Sequence, residues 1–152
     1  MEHMSRSSQQ SQESRRVINI SGVERVFEVR FVDFPDGMTE YVIGDEMDQT
    51  RRCLRVDDPA GFAAVATDWP IRSARTYPQA GLAVLATDCS ATCVDANGVR
   101  WRSRRLAYDG VVLGDLEGRI LRIEAEDYDP RTILLSIDDG HIVHHYKPLP
   151  ID

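Results

Sequence analysis

Apolar residues in this chain recur mostly at every second position, the period of a strand with one buried face. In ERVFEVRFVDF (24–34), Phe27, Val29 and Phe31 share one face, while Glu28 and Arg30 point away. Pro35-Asp36-Gly37 supplies turn chemistry, and EYVIG (40–44) is predicted to return as the partner strand. TRRCLRV (50–56) is read as a further strand.

The C-terminal half predicts a series of hairpins. Asn97-Gly98 joins ATCV (91–94) to VRWRSRR (99–105). Glu117-Gly118 lies between VVLGD (111–115) and RILRIEA (119–125), and Asp139-Gly140 between TILLSI (132–137) and HIVHHY (141–146). Leu121, Ile123 and Ala125 alternate with polar neighbours, and Ile133, Leu135 and Ile137 recur at the same period of two. These residues are the candidate core.

Two stretches nearly repeat, GFAAVATDWP (61–70) and GLAVLATDCS (81–90), but their flanks differ. The first follows Asp58, suited to an N-cap, and Pro59, suited to a first helical position. Phe62, Val65, Ala66 and Trp69 then fall on one helical face, and Pro70 ends the run. The second has no cap and is apolar on both faces, which predicts a central strand. The expected fold is therefore mainly β. An antiparallel meander forms two packed sheets or a partial propeller-like arrangement, with one short helix near 59–68.

Residues 1–16 are polar and aperiodic, and are expected to form a disordered tail. Its opening Met-Glu-His-Met reads as a cloning remnant. Residues 17–152 are expected to form a single domain, large enough to hold a core without staples.

GLAVLATDCSATCVDANGVRWRSRR (81–105) resembles a blade of a quinoprotein-type β-propeller: a strand, a short strand ending in Val-Asp-Ala, an Asn-Gly turn, and a strand carrying Trp101. WRSRRLAYDG (101–110) is similar to a W-R-x-x-R-L-A-x-D-G signature of a β-rich module in bacterial proteins. Together the resemblances span about residues 69–146 and imply local β topology, with no activity and no cofactor.

Composition narrows the function classes. A net charge of −7 argues against general affinity for nucleic acid or anionic membranes. No apolar run reaches the ~18–20 residues of a membrane span, and the N-terminus shows no export signal. Cys53, Cys89 and Cys93 are read as reduced, buried thiols in a cytoplasmic protein. His141, His144 and His145 suggest a metal. In a strand, however, His141 and His145 lie about 13 Å apart at ~3.3 Å per residue, and His144 faces the other way. Zn–N bonds of about 2.0–2.1 Å cannot join them, so no metal is expected.

In VRWRSRR, Arg100, Arg102 and Arg104 are expected on a solvated face, with Trp101 pointing to the core. The richest acidic run is Glu124, Glu126, Asp127 and Asp129. The function expected is a non-enzymatic protein-interaction module, in one version an immunity-type inhibitor whose acidic loops engage a basic partner. Partner contacts are assigned to Glu124, Glu126, Asp127, Asp129, Arg100, Arg102 and Arg104, with no catalytic residue. The alternatives are a small hydrolase using Cys/His or carboxylates, and a structural subunit of a phage or secretion assembly.

Overall fold

A computed structural model of the chain describes residues 15–20, 22–28, 34, 41–43, 53–55, 65–145 and 149–150. The chain divides into two compact units, Met1–Ile71 and Arg72–Asp152.

In the first unit, β1 (Arg15–Ile20) pairs antiparallel with β2 (Val23–Glu28), and β3 (Tyr41–Ile43) with β4 (Cys53–Arg55). Most residues of the expected hairpin between 24–34 and 40–44 lie outside the described residues; among the described ones, β2 pairs with β1, with Ile20 opposite Val23. So short a connection has little loop-closure cost. The Pro35-Asp36-Gly37 turn and residues 1–14 lie outside the described residues. So do residues 59–64 of the expected helix. Of its remainder, Val65 is buried in a 3₁₀ turn and Ala66 sits in a β-bridge. Trp69, expected on the apolar helix face, is 44% exposed. Thr67 Oγ1 donates to the Trp69 carbonyl at 2.6 Å, a local bond that favours a bend over a continuing helix.

The second unit holds two four-stranded antiparallel meanders, each with its strands in chain order. The first sheet runs β5 (Ser73–Tyr77), β6 (Leu82–Ala86), β7 (Ala91–Asp95) and β8 (Gly98–Arg102). The second runs β9 (Val111–Glu117), β10 (Ile120–Ala125), β11 (Arg131–Ser136) and β12 (Ile142–His145). The mainly β, two-sheet expectation therefore holds. The repeat in this unit is the whole meander: β6 begins at Leu82 and β10 at Ile120, a spacing close to the ~40 residues of a propeller blade. The second of the near-identical stretches, 81–90, contains the central strand β6, buried at all five positions, while residues 61–64 of the first lie outside the described residues.

One core lies between the two sheets. Leu82, Val84, Ala86, Ala91, Cys93 and Trp101 contribute from the first, with Leu116, Leu121, Ile123, Ala125, Ile133 and Leu135 from the second. Burying an aliphatic side chain of this size is worth roughly 1.5–3 kcal/mol, so this layer supplies the main driving force of the unit. Polar bonds fix the alignment. Trp101 Nε1 donates to the Ile137 carbonyl at 2.8 Å, and the Tyr77 hydroxyl donates to the Gly114 carbonyl at 2.6 Å. The register of β9 against β10 shifts between Leu121 and Ile123. Gly114 lies beside that irregularity, where a Cβ would come within 2.7 Å of the Arg122 carbonyl oxygen. Only a residue without a side chain permits that approach.

Candidate functional site

Three connections of the second unit are bonded to one another: residues 87–90, 103–110 and 126–130. The Leu106 and Ala107 amides donate to the Cys89 carbonyl at 2.7 and 3.2 Å, and the Glu126 amide donates to the Gly110 carbonyl at 2.9 Å. Within the first connection, Thr87 Oγ1 accepts the amides of Cys89 and Ser90.

The centre of this network is Asp127. Its Oδ1 accepts the amides of Tyr108 and Asp109 at 2.8 and 2.7 Å, and its Oδ2 accepts Arg131 Nη2 at 2.6 Å. The Arg131 Nη2 also donates to the Leu106 carbonyl at 2.8 Å. Both side chains of the pair are 6% exposed. Burial alone pushes the Asp127 carboxyl up. The amides of Asp109 and Tyr108 and the Arg131 guanidinium outweigh it and hold the group below the usual carboxylate range. Among the described residues, Arg131 Nε has no hydrogen-bond partner.

Two tyrosines stand out from these pinned connections. Tyr128 is 102% exposed, and Tyr108 is 52% exposed with the Arg105 guanidinium 5.8 Å from its ring centroid. Asp109, Glu126 and Asp129 are exposed beside them in sequence. The loops thus present two aromatic rings among carboxylates on a backbone held from beneath.

The residues expected to contact a partner fall into different settings. Glu126 and Asp129 flank Tyr128 on the loop surface. Asp127, in the same acidic run, turns inward to Arg131. Glu124 lies on β10 and accepts Arg122 Nε at 2.6 Å and Thr132 Oγ1 at 2.9 Å. Arg100 is paired with Asp95 at 3.3 Å. Arg102 and Arg104 line a groove with residues of β12 and the turn before it. The sequence pattern assigns no partner contact to Tyr108 or Tyr128.

Cys53, Cys89 and Cys93 are buried free thiols. Burial pushes all three up, Cys93 to about 12, so they are thiols rather than thiolates at neutral pH. In the native protein at pH 8, a disulfide reagent is expected to react slowly with all three, and rapidly once guanidinium unfolds the chain. Fast stoichiometric reaction without denaturant would contradict this.

His141 Nδ1 lies 2.6 Å from Asp139 Oδ1, and all three clustered histidines are exposed. Among the described residues, no group of three or more His, Cys, Asp or Glu is placed to hold a metal ion. No helix of the described residues is long and apolar enough to cross a membrane. In the signature-like stretch 101–110, Trp101, Leu106 and Ala107 are core residues.

No protein-family model matches the sequence, and no curated protein matches it. The structure is similar to the crystal structure of BamB from Moraxella catarrhalis, with a TM-score of 0.56 and 14% sequence identity. The match covers 90% of this chain, which spans 38% of the BamB chain. BamB is a β-propeller, and the likeness supports a β-propeller-like relation for the fold.

Proposed function

We propose that this chain is a protein-interaction module that binds a basic protein through the connections 103–110 and 126–130. Tyr128 and Tyr108 are the anchors, and Asp109, Glu126 and Asp129 supply charge around them. The observation that carries this reading is the pairing of a fully exposed Tyr128 with its buried neighbour Asp127. Exposed tyrosine on a held backbone offers contact area with little ordering cost, and tyrosine is enriched among residues that dominate binding energy. The carboxylates steer a basic partner to the site and make the encounter sensitive to salt.

Inhibition of that partner, as an immunity-type protein, is the specific form of this reading. A basic catalytic or substrate-binding surface covered by these loops would be blocked sterically and neutralised. Reduced buried thiols fit a cytoplasmic setting.

The test is affinity capture from the native lysate at low and moderate salt, comparing the wild type with Tyr128→Ala and with Glu126→Gln/Asp129→Asn. One stoichiometric basic protein is expected with the wild type. The alanine variant should weaken it at least tenfold, equivalent to about 1.4 kcal/mol. The charge variant should flatten the salt dependence. Undiminished capture by both variants would overturn this assignment, and both change exposed residues.

A further inference from the structure

The second unit repeatedly sets a guanidinium on a tyrosine. Its described tyrosines are Tyr77, Tyr108 and Tyr128. The Arg75 guanidinium lies 5.2 Å from the Tyr77 ring centroid, and its Nη2 donates to Asp115 Oδ1 at 2.7 Å. One cation thus contacts both an aromatic ring and a carboxylate. The Arg105 guanidinium lies 5.8 Å from the Tyr108 ring centroid. Both distances fall within the ~6 Å over which a ring quadrupole attracts a cation. Tyr128 differs. Among the described residues no cation stands over its ring, and its side chain is 102% exposed.

The ring is nevertheless carried on a fixed backbone. The residue before it, Asp127, accepts the amides of Tyr108 and Asp109 and the Arg131 guanidinium. Pro130 follows two residues later and restricts the backbone of Asp129. Glu126, two residues before Tyr128, is exposed, and its carboxylate has no partner among the described residues. The connection therefore offers the ring and the carboxylate of the Tyr77–Arg75–Asp115 arrangement without the cation.

We propose that Tyr128 receives an arginine side chain of the partner on its ring, with Glu126 as counter-charge. This rests on the reading of these loops as the site for a basic protein, and narrows what they recognise to an exposed arginine. Guanidinium is favoured over ammonium for a physical reason. It is planar, more weakly hydrated and able to stack on an aromatic face, and its forked donors match a carboxylate. A lysine ammonium holds its water more strongly and gains less from a ring that is open to solvent. The two guanidinium–tyrosine contacts within the unit use the same chemistry.

The experiment titrates the full chain with nona-arginine, nona-lysine and nona-citrulline at fixed ionic strength. Calorimetry gives the affinities, and NMR of isotope-labelled tyrosine follows the Tyr128 ring. The arginine and lysine peptides carry the same charge, so their difference separates guanidinium recognition from general attraction to a chain of net charge −7. Citrulline keeps a planar N–H donor group and removes the charge. The arginine peptide is expected to bind about two- to fivefold more tightly than the lysine peptide and to shift the Tyr128 ring signals. Citrulline should leave them unchanged. Tyr128→Leu should bring the arginine peptide down to the lysine level, while Tyr128→Phe, which keeps the ring, should retain the preference. Equal binding of the arginine and lysine peptides, a preference that survives Tyr128→Leu, or citrulline binding as tight as arginine would overturn the inference. The two readings fail separately. Capture of the native partner that Tyr128→Ala weakens, with no arginine preference, would keep the loop surface and remove the guanidinium from it.

Discussion

Asp127→Ala is expected to destabilise the second unit by about 3–5 kcal/mol, because it strands the buried Arg131 guanidinium without its counter-charge. Two amides, of Tyr108 and Asp109, lose their acceptor in the same step. Arg131→Ala should cost a similar amount by stranding the carboxylate and freeing the Leu106 carbonyl. Urea unfolding curves of the single variants and the double variant would measure both effects. The double variant should lose much less than the sum, since removing both charges together abolishes the uncompensated one. Additive losses would mean that the pair is not coupled.

The pH dependence has a definite sign. The folded Asp127 carboxyl titrates below the range of the unfolded chain, which lies near 3.9. Its contribution is therefore present in full above that value. It disappears as pH falls through the unfolded and then the folded pKa. The stability gap between wild type and Asp127→Ala should be constant from neutral pH to about 5 and should close under more acid conditions. A gap that persists unchanged at pH 2 would show that the amide and guanidinium bonds do not depend on the charge. The loop surface should follow the same pattern. Weakening Asp127 releases the connections that display Tyr108 and Tyr128, so partner binding should fall with no change at the contact itself.

Gly140→Ala is the second large effect, expected at about 2–4 kcal/mol. Gly140 has φ +78, where an L side chain is strained, and the added methyl would meet the Trp101 ring at 2.3 Å. Trp101 cannot retreat, because its ring is packed in the core and its Nε1 is bonded to the Ile137 carbonyl. Gly118→Ala separates the two causes. Gly118 has φ +62 but open space around a Cβ, so its replacement should cost only the backbone strain, about 1–2 kcal/mol. Thermal melts of both variants, with Trp fluorescence as the probe, check the comparison. Equal losses would leave no steric part to assign to the indole.

The alternation of apolar and polar residues was enough to place β10 and β11, because Leu121, Ile123, Ala125, Ile133 and Leu135 need only a buried face and a strand period. The Asn97-Gly98 turn and the inward Trp101 were readable for the same local reason. β5 was not. Ser73, Arg75 and Thr76 carry no apolar stripe, and the strand exists because β6 offers it a full hydrogen-bonding edge. The helix expected near 59–68 shows the limit in the other direction. Its apolar spacing included Trp69, but the Thr67 bond bends the backbone and leaves that indole exposed.

The acidic run Glu124, Glu126, Asp127 and Asp129 looked uniform because charge patterning records residue type and not direction. Asp127 differs from its neighbours only because residues 106–109, from another connection, bring amides and a carbonyl to the same place as Arg131. The meeting of Arg102 and His145 along one groove has the same origin, since they belong to different sheets. The sequence by itself determined β6 to β11, their buried faces and the turns between them, which depend on neighbours within a few residues. Only the tertiary structure decided which loops meet, which carboxylate is buried and which cations converge. Those outcomes depend on distances between segments that the local pattern of side chains does not encode.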